Sequence, residues 1–147
     1  MDITRKSLLV RLAGFSLVAG LFGSSTTISA SQSPLPDPVD TWYEALQSAD
    51  RETFDQIIAE AAVIELKYLD ISQTKDEFIE SMDNWEEIAD SVTIETKTVT
   101  SGNGNITVDV CYRFPDNERL NSESFVFSDG LIRSSVQELK AETCDGF

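Results

Sequence analysis

The hydrophobic positions that follow residue 38 recur with the period of an amphipathic helix, at i, i+3, i+4 and i+7. They are Val39, Trp42, Tyr43 and Leu46. Asp37 followed by Pro38 predicts an N-cap with proline at the first helical position. We expect this helix to end near Ala49.

Two more helices are predicted from the same spacing. The second should be capped by Asp50, and its apolar stripe comprises Phe54, Ile57, Ile58 and Ala61. Thr74 and Glu77 form a capping box for the third, which should run from Lys75 to Ala89. Its apolar stripe includes Phe78, Met82 and Trp85.

Elsewhere the pattern has the shorter period of β-strands. A short strand is predicted at 62–69, before the third helix, and the rest of the chain is strand-like. The later strands are expected at 92–100, 105–114, 123–128 and 131–139. Glycine and asparagine or aspartate at Ser101–Gly104 and at Asp129–Gly130 predict two tight hairpins. A polar connector is expected at 116–122, and a tail at 141–147.

Alternation predicts which side chains of the later strands face the helices. One face of the 105–114 strand carries Ile106, Val108, Val110, Tyr112 and Phe114. Cys111 falls on the opposite, polar face with Asp109 and Arg113. In the next strand Glu123 shares the inward face with Phe125 and Phe127, which is unusual for a carboxylate.

The first thirty residues have the layout of a secretory signal. Arg5, Lys6 and Arg11 accompany an apolar run over Leu8–Phe22, and small residues end at Ala30. We therefore predict a signal peptide over 1–30, an extended lead-in over 31–37, and one domain over 38–147. The protein is expected to be exported, to a periplasm or the cell exterior. A retained membrane anchor is the alternative, but the apolar run is shorter than the roughly 20 residues that a spanning helix needs.

The charge of the chain restricts its partners. There are 26 Asp and Glu against 11 Lys and Arg, which gives a formal net charge of −15. Such a surface repels nucleic acid backbones and anionic lipid heads. No nucleic acid partner is therefore expected, and no membrane partner once the signal is cleaved. Cations or basic partners are favoured by this charge.

Cysteine and histidine content excludes several chemistries. Cys111 and Cys144 are the two cysteines, and in an oxidising compartment they predict one disulfide bond. The chain has no histidine, so a Ser-His-Asp hydrolase is excluded, and two thiols alone make a poor zinc site. The acids Asp83, Glu86, Glu87 and Asp90 lack the pattern of a calcium loop. We predict no metal site and no cofactor.

The order of these elements resembles the nuclear transport factor 2-like superfamily, which includes ketosteroid-isomerase-like and SnoaL-like proteins. The resemblance is carried by Trp42–Asp50 with Phe54 and Ile58, and by Phe125–Ile132. It implies an α+β fold in which a strongly curved antiparallel sheet wraps three N-terminal helices into a cone. A ligand, where there is one, would occupy the open end of that cone.

The resemblance also allows the isomerase site to be placed on this sequence. The tyrosine that donates to the oxyanion falls on Trp42, which offers an indole N–H instead. The catalytic base falls near Leu66, with Glu65 beside it on the opposite face, and the second acid falls on Glu123. The SnoaL-like cyclases and related dehydratases use His and Asp, and this chain has no His.

We therefore expect a non-catalytic module that binds a small apolar or cationic ligand in the cone. The pocket is predicted to be lined by Trp42, Phe54, Tyr68, Phe78, Met82, Trp85, Tyr112, Phe114 and Phe125. One alternative is an isomerase or lyase that uses Glu123 as the catalytic acid. Another is an interaction module that forms a homodimer through the outer sheet face. The residues expected to form that contact are Thr93, Glu95, Lys97, Thr107, Asp109 and Arg113.

Overall fold

The computed structural model describes residues 38–147, so the predicted signal peptide, the lead-in and the Asp37 cap lie outside the described residues. The helices are α1 (Pro38–Ser48), α2 (Arg51–Ile57) and α3 (Lys75–Ala89). Asp50 caps α2 by accepting from the backbone N–H of Thr53 at 3.1 Å. The predicted capping box of α3 is confirmed, because Thr74 and Glu77 each accept from the other's backbone N–H.

Six strands form one sheet in the order β2-β1-β6-β5-β4-β3. They are β1 (Ile58–Leu66), β2 (Ile71–Thr74), β3 (Thr93–Gly102), β4 (Asn105–Arg113), β5 (Glu118–Ser128) and β6 (Leu131–Ala141). The sheet is curved and unclosed, and with the three helices it confirms the expected α+β class. It is mixed rather than entirely antiparallel, because β1 and β6 run parallel to each other.

The second helix is shorter than its apolar stripe predicted. The helix ends at Ile57, and Ile58 begins β1, so Ile58 and Ala61 belong to a strand. Ile58 is 1% exposed and pairs with Ile132 of β6. The apolar residues Ile57 and Ile58 fit both the helical and the strand period. The pairing of Ile58 with β6 decides that the strand begins at Ile58.

The strand predicted at 62–69 is also displaced, because β1 ends at Leu66. Lys67–Leu69 forms a 3₁₀ turn, so Tyr68 lies in a turn rather than a strand. Asp70 has a φ of 56°, and the chain then returns along β1 as β2. The four residues of β2 are mostly exposed, so they carry no apolar alternation that the sequence could show.

Both predicted hairpins are confirmed. The loop residues Asn103 and Gly104 have φ of 54° and 76°, and Asp129 and Gly130 have φ of 55° and 77°. Positive φ at both central positions is what a two-residue type I′ loop requires. The polar connector predicted at 116–122 is wrong, because β5 begins at Glu118 and pairs with β4 from there.

The disulfide between Cys111 and Cys144 is present, with the two Cα atoms 5.8 Å apart. It fixes the tail to the outer face of β4, where the backbone N–H of Cys144 also donates to Glu118 Oε2 at 3.0 Å. The sulfurs lie on the outer face of the sheet, away from the helices, as predicted, and Cys111 there is 0% exposed. Residue alternation gave its face correctly, and the tail that crosses there accounts for its burial.

Charged residues of the outer sheet face pair with one another. Arg113 forms ion pairs with Glu95 and Glu118. Lys140 Nζ lies 2.7 Å from Asp109 Oδ2. The groups expected to contact a second subunit are thus partly engaged within the chain, and exposed pairs of this kind contribute about 0 to 1 kcal/mol each.

Aromatic rings fill the space between the helices and the sheet. Trp42 of α1 stacks on Phe78 of α3 with ring centroids 5.0 Å apart, and it contacts Phe54 at 5.1 Å and Phe125 at 5.4 Å. This cluster closes the deep end of the cone. Within residues 38–147, every helix is too short or too polar to traverse a lipid bilayer.

Candidate functional site

A pocket of about 330 Å³ opens between α1, α3, the 3₁₀ turn and the inner face of the sheet. Eight of the predicted site residues line it: Trp42, Tyr68, Phe78, Met82, Trp85, Tyr112, Phe114 and Glu123. Phe54 and Phe125 do not line it, because they lie behind Trp42 in the closed core. The volume lies within the range of sites for small molecules.

One wall of the pocket is polar. Arg119, Asn121 and Glu123 follow one another on the inner face of β5, and Gln137 of β6 joins them. Ser135 of β6 lies beside them on the same face, opposite Phe125. We call these five residues the polar strip.

A bulge in β6 brings two members of the polar strip inward. Val126 pairs with Ser134 and Phe127 with Ile132, so Arg133 is an extra residue in β6. Ile132 is buried before the bulge, and Ser135 and Gln137 are buried after it. The extra residue therefore shifts the inward positions of β6 by one, which places a hydroxyl and an amide against Glu123.

The Glu123 carboxyl group is 2% exposed and is held by three donors. Ser135 Oγ donates to Oε1 at 2.5 Å, and the Tyr43 hydroxyl group donates to Oε2 at 2.6 Å. Gln137 Nε2 lies 3.4 Å from Oε2. Tyr43 was predicted only as a core residue of α1, and its role as a partner of Glu123 was missed. Both carboxyl oxygens are thus engaged within the protein.

The amide of Gln137 extends this network along the strip. Its Nε2 also donates to the Tyr112 hydroxyl oxygen at 3.2 Å, and its Oε1 accepts from Asn121 Nδ2 at 3.0 Å. With Gln137 Nε2 directed at Glu123 and Tyr112, its Oε1 faces Asn121, and Asn121 presents Nδ2 to it. Asn121 Oδ1 is therefore left over as an acceptor.

Two buried polar atoms of the pocket lining have no partner among the described residues. They are Trp42 Nε1, a donor, and Asn121 Oδ1, an acceptor. Their side chains are 2% and 1% exposed. An unsatisfied buried polar group costs about 1 to 3 kcal/mol, so this pair of atoms requires an explanation.

Burial raises the pKa of Glu123, and the hydrogen bonds from Ser135, Tyr43 and Gln137 oppose that shift without cancelling it. Burial also raises the pKa of Tyr43 and of Tyr112 well above 10, and the nearby carboxyl group adds to both shifts. Both phenols therefore stay protonated in the physiological range, as donors or acceptors of hydrogen bonds.

We expect Glu123→Gln to remove one component of the pH dependence of stability. Because the folded pKa lies above the unfolded value of about 4.3, the contribution of Glu123 is complete below that value and is lost as the pH rises through the folded pKa. The free energy of unfolding of the wild type, minus that of the variant, should therefore fall from about pH 4 towards neutrality.

Urea unfolding of both proteins over a pH series would measure this difference. The pKa values of Asp50 and Glu77 are lowered by hydrogen bonds from Thr53 and Thr74, and they act in the opposite direction. Both groups remain in both proteins, so their contributions cancel. A difference that stayed constant or grew with pH would show that the pKa of Glu123 is not raised.

The isomerase positions transferred by resemblance do not assemble as expected. Trp42 and Leu66 line the pocket, but Glu65 faces away and its Oε1 lies 3.1 Å from Lys67 Nζ. The tyrosine of α1 that reaches the buried carboxyl group is Tyr43, next to the position predicted. Glu123 is thus the only acid of that set in the pocket of the described domain.

The acidic cluster at the end of α3 is partly neutralised rather than open to an ion. Arg51 Nη2 lies 2.5 Å from Asp83 Oδ1 and 2.8 Å from Glu86 Oε2. Within the described residues, no group of three or more potential ligands has the geometry to hold a metal ion.

Several pocket residues were missed from the sequence. The apolar ones are Leu46, Ile64, Leu66 and Ile88, and the polar ones are Gln73, Ser81, Asn84, Arg119, Asn121 and Gln137. Arg119 and Asn121 are spaced by two residues from each other and from Glu123, so they share its face of the strand. A strand predicted to begin before residue 119 would have placed both of them in the pocket. Gln137 could not be found in this way. Strict alternation from Ile132 places Gln137 on the outer face, and only the bulge at Arg133 turns it inward.

The architecture was compared with known proteins. A putative ketosteroid isomerase from Kribbella flavida superimposes with a TM-score of 0.60 at 14% identity, covering 71% of this chain and 76% of the other. A putative polyketide cyclase from Sinorhizobium meliloti gives 0.59 at 22% identity, over 71% and 95% of the two chains. The chain has the nuclear transport factor 2-like fold. This confirms the resemblance at the level of fold.

A third structure with this nuclear transport factor 2-like architecture was solved with a ligand. It is a ketosteroid-isomerase-like protein from Catenulispora acidiphila in complex with trimethylamine, with a TM-score of 0.59 at 12% identity, over 70% and 85% of the chains. No protein-family model matches the sequence, and no curated protein matches it. At these identities the similarity defines the fold alone.

Proposed function

We propose that this nuclear transport factor 2-like domain is an exported, non-catalytic binder of a small, mostly apolar molecule that carries a hydroxyl group. The observation behind the proposal is the pair of unsatisfied atoms, Trp42 Nε1 and Asn121 Oδ1, on two residues that line a mostly apolar pocket. A hydroxyl group can accept from the indole and donate to the amide. Binding would then relieve the cost of both atoms.

A non-catalytic role is supported by the state of Glu123. Its two oxygens accept from Ser135, Tyr43 and Gln137, so three of the about four acceptor positions of the carboxylate are filled from within the protein. The same engagement weakens the attraction of Glu123 for a cationic ligand. Arg119 in the pocket lining argues against such a ligand as well.

We expect Trp42→Phe to weaken binding of decanol about tenfold, because a hydrogen bond from the indole is lost while an aromatic ring remains. Isothermal titration would measure the affinity. Trp85→Phe is the matched control, since the Trp85 indole donates to the backbone oxygen of Leu46 at 2.6 Å. Absence of decanol binding to the wild type would contradict the proposal, and so would equal binding by both variants.

The second function that an observation favours is an isomerase or lyase. Glu123 lines an apolar pocket with a raised pKa, as a general acid would. Turnover of a substrate that is abolished in Glu123→Gln would support this reading. Turnover that survives the substitution would remove it.

A further inference from the structure

Arg119 occupies an unusual position at the pocket. It lies on the inner face of β5, directly across from Tyr112 of β4. Its guanidinium group sits over the ring of Tyr68, 5.5 Å from the centroid. Such a cation–π contact contributes about 0.5 to 1 kcal/mol and uses none of the five N–H donors of the arginine.

Arg119 has no ion-pair partner among the described residues, although most other basic side chains there have one. The described residues contain eight Lys and Arg side chains, and six of them form ion pairs. Arg119 and Lys97 are the exceptions within residues 38–147. Lys97 is exposed on β3, where water can solvate it, whereas Arg119 is partly buried in the pocket lining. Among the acidic residues of the described part of the chain, none forms an ion pair with the one arginine of the pocket lining.

Glu123 does not serve as that partner. Arg119 and Glu123 are four residues apart on one strand, so their Cα atoms are separated by about 13 Å. The Glu123 oxygens are also taken up by Ser135, Tyr43 and Gln137. Arg119 and the two unsatisfied atoms of Trp42 and Asn121 therefore mark separate polar points of one apolar pocket.

We propose that the ligand is an amphipathic carboxylic acid whose carboxylate pairs with Arg119, while its apolar body fills the aromatic part of the pocket and carries the hydroxyl group that reaches Trp42 and Asn121. This inference rests on the proposed binding function and adds the class of ligand. A guanidinium group binds a carboxylate through two parallel hydrogen bonds. The acidic surface repels anions at long range, so selectivity for the carboxylate comes from this one contact.

The test compares three probes with the same chain: decanoate, decanol and decyltrimethylammonium. Isothermal titration should show that the wild type binds decanoate at least about tenfold more tightly than decanol, as expected for a hydrogen-bonded ion pair. Decyltrimethylammonium should bind most weakly. Arg119→Gln should abolish the preference for decanoate, and Arg119→Lys should retain part of it, because the charge remains without the planar pair of donors.

Lys97→Gln is the control, since it removes one unpaired positive charge that is exposed and outside the pocket lining, and it should leave the preference unchanged. Circular dichroism would establish that all variants are folded. If decanol binds and decanoate binds no more tightly, or if Arg119→Gln keeps the preference, this inference is overturned and the binding function stands. If decanol does not bind the wild type, the proposed binding function itself fails.

Discussion

Replacing both Cys111 and Cys144 by alanine should lower the free energy of unfolding by about 3 to 4 kcal/mol. The bond closes a loop with a sequence separation of 33 residues, and opening it restores conformational freedom to the unfolded chain. The loss is a large share of the roughly 5 to 15 kcal/mol that stabilises a typical domain. Urea unfolding of the oxidised wild type and the double variant would measure it.

Reduction of the wild type by dithiothreitol provides the control for this experiment. The reduced protein and the double variant should unfold at similar urea concentrations, because both lack the cross-link. A difference between oxidised wild type and double variant below about 1 kcal/mol would contradict the prediction. It would mean that hydrogen bonding, such as that from the Cys144 backbone to Glu118, holds the tail without the bond.

Phe54→Ala should destabilise the domain by about 3 to 5 kcal/mol. Phe54 is 0% exposed, and its ring meets those of Trp42 and Phe78 edge to face at 5.1 and 5.0 Å. Truncation removes these contacts and leaves a cavity that α1, α3 and the sheet cannot close. The change in the midpoint of urea unfolding would report the loss.

Phe127→Ala is the matched control for this substitution. Phe127 is partly exposed near the end of β5 and stacks on Phe125 at 6.0 Å. The same chemical change there should cost clearly less, because water can fill the space that is vacated. Equal losses at the two positions would show that the cluster around Trp42 is not the centre of the core.

The sequence predicted those elements that are determined by interactions between residues close together in the chain. The capping box of Thr74 and Glu77 identified α3, and the Asp129–Gly130 dipeptide identified a hairpin. The start of β1 at Ile58 could not be predicted in the same way, because it depends on pairing with β6 at the far end of the chain.

The candidate site was predictable only in part, for a similar reason. The inward position of Glu123 followed from strand alternation, and most of the aromatic lining followed from helical spacing. Tyr43 looked like any core residue of α1, and its hydroxyl group acquires a role only through Glu123, eighty residues later. Arg119 was hidden because its polar neighbours resemble a loop, although they pair with β4.

The extra residue at Arg133 makes the chemistry of this cavity depend on the register of β6 as well as on residue type. If Arg133 paired with Val126 and the bulge were lost, every later residue of β6 would slip by one place, and Ser134 and Val136 would take the inward places of Ser135 and Gln137. The Glu123 carboxyl group would then lose both of its donors from β6 without any change of sequence. The same chain thus encodes two possible cavity floors, one polar and one apolar, and the bulge selects the polar one.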